Sequence, residues 1–284
     1  MLFQIVHRTR YRYNRPVHLD PHEIRLRPRC DGSQRLVDFH LDISPEPVGV
    51  AHNLDAEGNA MARTWFAGVH REFCVVTRAT VETLRANPFE FLLKSDFSSL
   101  PATYAESEAA VLASYRQVGD PQHSVTALGQ ELSRQAGGEV LPFLRVLNGY
   151  IYQSLKAEVR LEGRPMAAAE TLARGCGACR DLAVLFIAIC RTLGLAARFV
   201  SGYQAGAQNQ QERYMHAWAE VYLPGAGWRG WDPSLGLAVA DAHVAVAVGG
   251  EAGAAQPLTG YFRGEDIEAE LEASIQLETD SASL

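Results

Sequence analysis

The first residues alternate at the period of a β-strand. Phe3, Ile5, Thr9, Tyr11 and Tyr13 share one parity, while Gln4, Arg8, Arg10 and Arg12 occupy the other. Pro16 and Pro21 are expected to end this strand. Strand-like pieces follow at residues 35–43, 48–54, 60–66 and 72–84, separated by the turn-rich segments CDGS, SPEP and DAEGN. Short strands at this spacing, with no helical period between them, predict an antiparallel β-sandwich over residues 1–88. Its alternating arginines read as the solvated face of a sheet.

The period then changes. Ala109, Leu112 and Tyr115 recur near helical spacing, and in FLRVLNGYIYQSL the apolar positions Phe143, Val146, Leu147, Tyr150 and Ile151 predict a helix that crosses Gly149. MAAAETLARG reads as a short helix stopping near Gly175. Leu182, Leu185, Phe186, Ile189 and Leu193 form the buried stripe of another, ending before Gly194. AHVAVAVG, LTGYFRG and EDIEAELEASIQLETDSASL read as strands, the last followed by a loose tail. The expected organisation is α+β: a sandwich at 1–88, a helical connection and core at 89–238, and terminal strands at 239–284 packed on both.

Composition narrows the function classes. With 47% hydrophobic and 21% charged residues in 284, the chain is globular, and its net charge of -7 argues against nucleic acid or an anionic membrane as partner. The segment MLFQIVHRTRYRYNRP lacks the apolar run of a secretory signal, and no stretch is long enough to span a bilayer, so a soluble cytoplasmic protein is expected. Cys30, Cys74, Cys176, Cys179 and Cys190 are odd in number and do not form a disulfide framework pattern. No nucleotide loop or calcium loop is present, so no cofactor is expected.

Cys179 falls one turn ahead of Leu182 and Ala183, in the first turn of its helix, where unpaired amides and the positive helix end favour a thiolate. Position alone leaves a packed thiol and a reactive one both open. Cys190, eleven residues on among apolar neighbours, reads as packing. A base and an orienter stand in YMHAWAEVYLPGAGWRGWDPS. His216, Trp218, Glu220 and Tyr222 share one face of a strand, and Asp232 closes the returning strand before Pro233. Register decides whether they meet. If Leu223 pairs with Trp228, Asp232 lies opposite Ala219 and points away from His216; if Tyr222 pairs with Trp228, it lies opposite Trp218, on the histidine face, with roughly 5–8 Å between β-carbons. The glycines and proline of LPGAG permit the second register.

The segments GACRDLAVLFIAICRTLGLAARFVSGY and MHAWAEVYLPGAGWRGWDPS resemble the core of the bacterial transglutaminase-like cysteine hydrolase superfamily, and the sandwich resembles the domain often found ahead of it. The resemblance implies a papain-like core in which a helix carrying the nucleophile packs on an antiparallel sheet. It implies Cys179 as nucleophile, His216 as base and Asp232 as the orienting carboxylate. The implied reaction is thiol-dependent acyl transfer through a thioester, by a peptidase or amidase acting on a peptide or protein carboxamide. An amine-transferring transglutaminase and a noncatalytic protein-binding module are the alternatives.

The remaining candidates read structurally. Asp181 is expected to cap its helix, and at least two of Trp218, Trp228 and Trp231 to pack. The CGAC motif has the spacing of a redox pair or a zinc knuckle, but zinc would have to recruit His216 and Asp232, and a reversible Cys176–Cys179 disulfide would silence the thiol. His7, His18, His22, His40, His52 and His70 form no HxH or HExxH pattern, His123 is placed in a polar loop, and His243 reads as a core or strand-edge residue, with an approach to the cleft as the alternative. The stretch GGEAGAAQPLTGYFRG lacks the Arg-Asp-Tyr run of relatives, which bears on specificity.

Overall fold

The computed structural model describes residues 1–119, 123–206 and 213–280; the tail expected at 281–284 lies outside the described residues. The amino-terminal strands are β1 (Leu2–Leu19), β2 (His22–Ile24), β3 (Gln34–Ser44), β4 (Gly49–Leu54), β5 (Ala60–Trp65) and β6 (His70–Thr83). The middle contains α1 (Glu106–Val111), α2 (His123–Gln135), α3 (Val140–Ser154), β7 (Lys156–Ala157), α4 (Ala168–Arg174), β8 (Cys176–Gly177) and α5 (Cys179–Thr192). There follow β9 (Ala197–Gln204), β10 (His216–Leu223), β11 (Gly227–Asp232), β12 (Leu237–Ala238) and β13 (His243–Gly249), and finally β14 (Leu258–Thr259), β15 (Phe262–Arg263) and β16 (Ala269–Asp280).

The sandwich faces a sheet ordered β15-β1-β6-β3, with β16 also on β1, against a sheet ordered β14-β2-β5-β4. Alternation along β1, β2 and β6 places Val17, Ile24, Phe73 and Val75 between them. The arginine face is solvated as expected: Arg10 meets Glu72, Arg35 meets Glu82 and Arg78 meets Asp42 across strands. Exposed pairs of this kind add little stability. Pro16 does not end β1, which runs on to Leu19. The register shifts between Arg12 and Val17, and at such a bulge a missing amide hydrogen breaks no ladder bond. His123 opens α2 rather than lying in a loop.

The core sheet is antiparallel and ordered β12-β11-β10-β9-β13. Leu182, Leu185, Phe186 and Ile189 of α5 are fully buried, packed with Ala217, Ala219, Val221 and Leu223 of β10. Each of the Leu, Ile, Val and Phe side chains contributes about 1.5–3 kcal/mol relative to exposure. Gly175, in the left-handed region at φ 66°, ends α4 and turns the chain toward α5.

Two devices join sandwich to core. Phe3, Ile5, Ala79 and Val81 pack with Tyr203, Val244 and Val246. The free edge of β13 is met by side chains. Gln34 exchanges hydrogen bonds with the amide and carbonyl of Ala245 at 2.7 and 2.9 Å, and Asn59 does the same with Val248 at 2.8 and 2.7 Å. Among the described residues no helix is long and apolar enough to cross a membrane.

Candidate active site

Cys179 is the first residue of α5, and the helix start is built around Asp181. Its carboxylate accepts the Ala178 amide at 2.8 Å and the Met166 amide at 2.8 Å, and a guanidinium nitrogen of Arg160 lies 2.6 and 2.8 Å from its two oxygens. Arg180 adds bonds to the carbonyls of Arg160 at 2.6 Å and Glu162 at 2.5 Å, so the segment 160–166 is lashed across the helix start. Gly177 has no alternative here: a Cβ on it would come within 2.8 Å of the Asp181 Cβ. Asp181 is thus structural, as expected. The half-buried Cys179 thiol is left facing His216.

Tyr222 pairs with Trp228 and Leu223 with Gly227, which is the register that carries Asp232 to the histidine face. Asp232 Oδ2 lies 2.6 Å from His216 Nε2. That contact leaves Nδ1 as the nitrogen available to Cys179, which stands close enough to favour the charged imidazole. Asp232 is fully buried, and its Oδ1 accepts the Ser234 amide at 3.0 Å, the Ser234 hydroxyl at 2.7 Å and the Leu235 amide at 3.2 Å. Its carboxyl resists protonation: burial alone would raise its pKa, but the hydrogen bonds from His216 and His243, together with the His216 charge, hold it well below the usual carboxylate range. For His216, burial opposes the charged form, yet the bond to Asp232 and the neighbouring Cys179 prevail and raise its pKa to about 10. The imidazole is therefore held as the cation that a thiolate needs as partner.

The sequence favoured a core or strand-edge place for His243, which it has, over an approach to the cleft, and did not name its partner. It is 5% exposed, and its Nε2 lies 3.1 Å from the same Asp232 Oδ2 that His216 meets. The ligating atoms of His216, Asp232 and His243 lie within 4.8 Å of one another, and neither cysteine of CGAC belongs to the group. At 2.6 and 3.1 Å on one oxygen, the contacts are those of two N–H donors sharing a carboxylate. Gly202 makes room beside this cluster, since a Cβ there would stand 2.6 Å from the Trp218 ring and 2.1 Å from the Val244 carbonyl. Trp218 and Trp231 are buried packing residues, while Trp228 carries the Arg198 guanidinium over its ring at 4.1 Å. Cys190 is fully buried, which pushes its thiol well up in pKa, and all five cysteines are unpaired.

With this geometry established, the comparisons with known proteins agree in family and in fold. The family model of the bacterial transglutaminase-like N-terminal region matches residues 3–82, and that of the transglutaminase-like superfamily core matches residues 126–233. Residues 126–233 thus carry the transglutaminase-like superfamily core, behind the N-terminal region of the bacterial transglutaminase-like family. Among curated relatives, the uncharacterized protein ML0607 of Mycobacterium leprae is 24% identical over 92% of this chain and 93% of its own. The uncharacterized protein Rv2569c of Mycobacterium tuberculosis is 26% identical over 97% of this chain and 92% of its own. A crystal structure of a candidate cysteine protease from Cytophaga hutchinsonii is 21% identical, covers 99% of this chain and 92% of that one, and superposes with a TM-score of 0.69. The α+β fold, sandwich and transglutaminase-like core together, is common to both.

Proposed function

We propose that this protein is a thiol-dependent acyl-transfer enzyme of the peptidase or amidase type. The observation that carries the reading is that Cys179 at the start of α5 stands beside His216, whose Nε2 meets the buried Asp232 at 2.6 Å. The superfamily assignment supports a thiol enzyme in general, and the substrate class is a peptide or protein carboxamide.

In the proposed cycle the Cys179 thiolate adds to the carbonyl carbon, forming a C–S bond as the π electrons move to oxygen. The Cys179 amide, at a helix position that has no partner within α5, is placed to donate to that oxyanion. Collapse breaks the C–N bond, the departing amine takes the His216 proton, and a thioester remains. Asp232 holds the ring orientation throughout. Water then adds with His216 as base, releasing the acid and the thiol. Cys179 is half-buried and His216 is 15% exposed, so solvent reaches the thioester, which favours hydrolysis over amine transfer.

The test is modification by a cysteine-directed electrophile with peptide mapping, alongside incubation with a glutamine-containing peptide and a primary amine. Labelling at Cys179 that is lost in His216→Ala, with free acid as product, is the expected result. An amine-coupled product would assign transglutaminase activity instead, and labelling confined to Cys30 or Cys74 would overturn the reading.

A further inference from the structure

His243 is a second donor on a carboxylate that a catalytic triad would need only once. Its Nε2 must carry the hydrogen, because Asp232 Oδ2 offers only lone pairs. Its Nδ1 is buried without a hydrogen-bond partner. A lone pair is tolerated there better than an orphaned N–H, so the expected form is the Nε2–H tautomer. The ring is wedged between Trp218, at 5.3 Å between centroids, and His216, at 6.2 Å.

The strand that carries His243 is itself held firmly. β13 pairs with β9, His243 opposite Gln204, while Gln34 and Asn59 of the sandwich grip its other edge. His243 therefore reaches Asp232 from a fixed strand. The groups acting on His216 are Asp232 and Cys179, and those acting on Asp232 are His216 and His243. A charge shared between two donors is felt less by each.

We infer that His243 is a positioning residue which, by occupying part of Asp232 Oδ2, fixes the carboxylate and limits the charge it presents to His216, setting the pH at which His216 releases its proton. This rests on the triad reading. Removing the second donor concentrates the carboxylate charge on His216, favours the imidazolium and moves its deprotonation to higher pH.

The test is the rate of Cys179 alkylation by iodoacetamide against pH in the full chain, for the native protein, His243→Leu, His243→Gln and His216→Ala. The transition set by His216 is expected to move upward by about one pH unit in His243→Leu. His243→Gln is expected to restore the native position, because its amide N–H can replace the Nε2 donor. A profile for His243→Leu that superimposes on the native one overturns the inference while leaving the triad intact, as does a Gln variant that shifts equally. Alkylation indifferent to His216→Ala overturns the triad reading itself. Should the leucine variant fail to fold, histidine-selective nitrogen-15 spectra of the native protein decide: an Nε2–H tautomer for His243 supports the inference and an Nδ1–H tautomer overturns it.

Discussion

Tyr222 lies directly opposite Trp228 in the β10–β11 hairpin, and that one pairing puts Asp232 within 2.6 Å of His216. A slip of one residue would turn Asp232 to the other face. The turn that sets the register depends on Gly225, at φ 89°, whose absent side chain leaves space for the Leu92 carbonyl; a Cβ there would stand 2.5 Å away. Gly225→Ala is expected to lower stability by about 2 kcal/mol through the left-handed conformation and the clash with backbone. Urea unfolding measures it, and an unchanged midpoint would show that the turn does not constrain the hairpin.

Titration should mark stability from both sides of neutrality. His7 is buried against the Tyr203 hydroxyl at 2.9 Å, and burial pushes its pKa down to about 4 from 6.5. Between those values the unfolded chain binds a proton that the folded one refuses, so stability falls as pH drops from 6.5 to 4, by about 3 kcal/mol in all. His216 has the opposite sign: its contribution is full below 6.5 and is lost as pH rises toward 10. Asp232 contributes above its unfolded value of 3.8 and loses that contribution as pH falls through its depressed folded value. Stability should therefore peak near pH 6.5, and His7→Gln should flatten the acid limb alone in urea titrations across this range. An acid limb as steep as before would refute the assignment.

Two fully buried aspartates should separate chemistry from structure. Asp232→Asn keeps the volume but removes the charge that holds His216 protonated, so activity should fall by about two to four orders of magnitude with a folded protein remaining. Asp181→Ala leaves Arg160 and the Met166 and Ala178 amides without their acceptor, at a loss of about 3 kcal/mol; Arg160 is 36% exposed, which keeps this at the lower end for a buried pair. Thermal melts read beside Cys179 alkylation rates distinguish them. A large activity loss in Asp232→Asn traced to unfolding would remove the contrast.

The features legible in sequence were those set locally. A helix start and the face of a hairpin follow from residues near one another, so Cys179, His216 and Asp232 could be placed before any fold was known, although the hairpin left two registers open. The approach of His243 to the cleft was only the lesser alternative, and its contact with Asp232 was not foreseen, because it depends on β13 lying beside β9, an order that AHVAVAVG does not encode. Arg160 was invisible for the same reason, its partner Asp181 lying across a fold of the chain. The terminal alternation identified β16 as a strand, but its partner is β1 at the opposite end of the chain, Leu2 facing Asp280. Pro16 misled because its usual disruptive effect is absorbed by a bulge.

The grip of the sandwich on β13 makes an asymmetric prediction. Gln34 and Asn59 are both buried, and each satisfies an amide and a carbonyl of the strand. They are not equivalent, because the Ala245 carbonyl also accepts the Arg29 amide at 3.0 Å. Gln34→Leu therefore leaves the Ala245 amide and the Arg29 carbonyl without their Gln34 partner, whereas Asn59→Leu removes both side-chain bonds to Val248, releases Asp55, to which Asn59 donates at 3.1 Å, and takes the acceptor from the Arg29 guanidinium at 3.3 Å. Asn59→Leu is expected to destabilise by about 2–4 kcal/mol and Gln34→Leu by about half as much. Hydrogen exchange of the β13 amides should accelerate in the same order, loosening the strand that carries His243. Equal effects, or a larger one at Gln34, would mean that hydrophobic packing of Val244 and Val246 against Phe3 and Ile5, rather than these amides, fixes the strand.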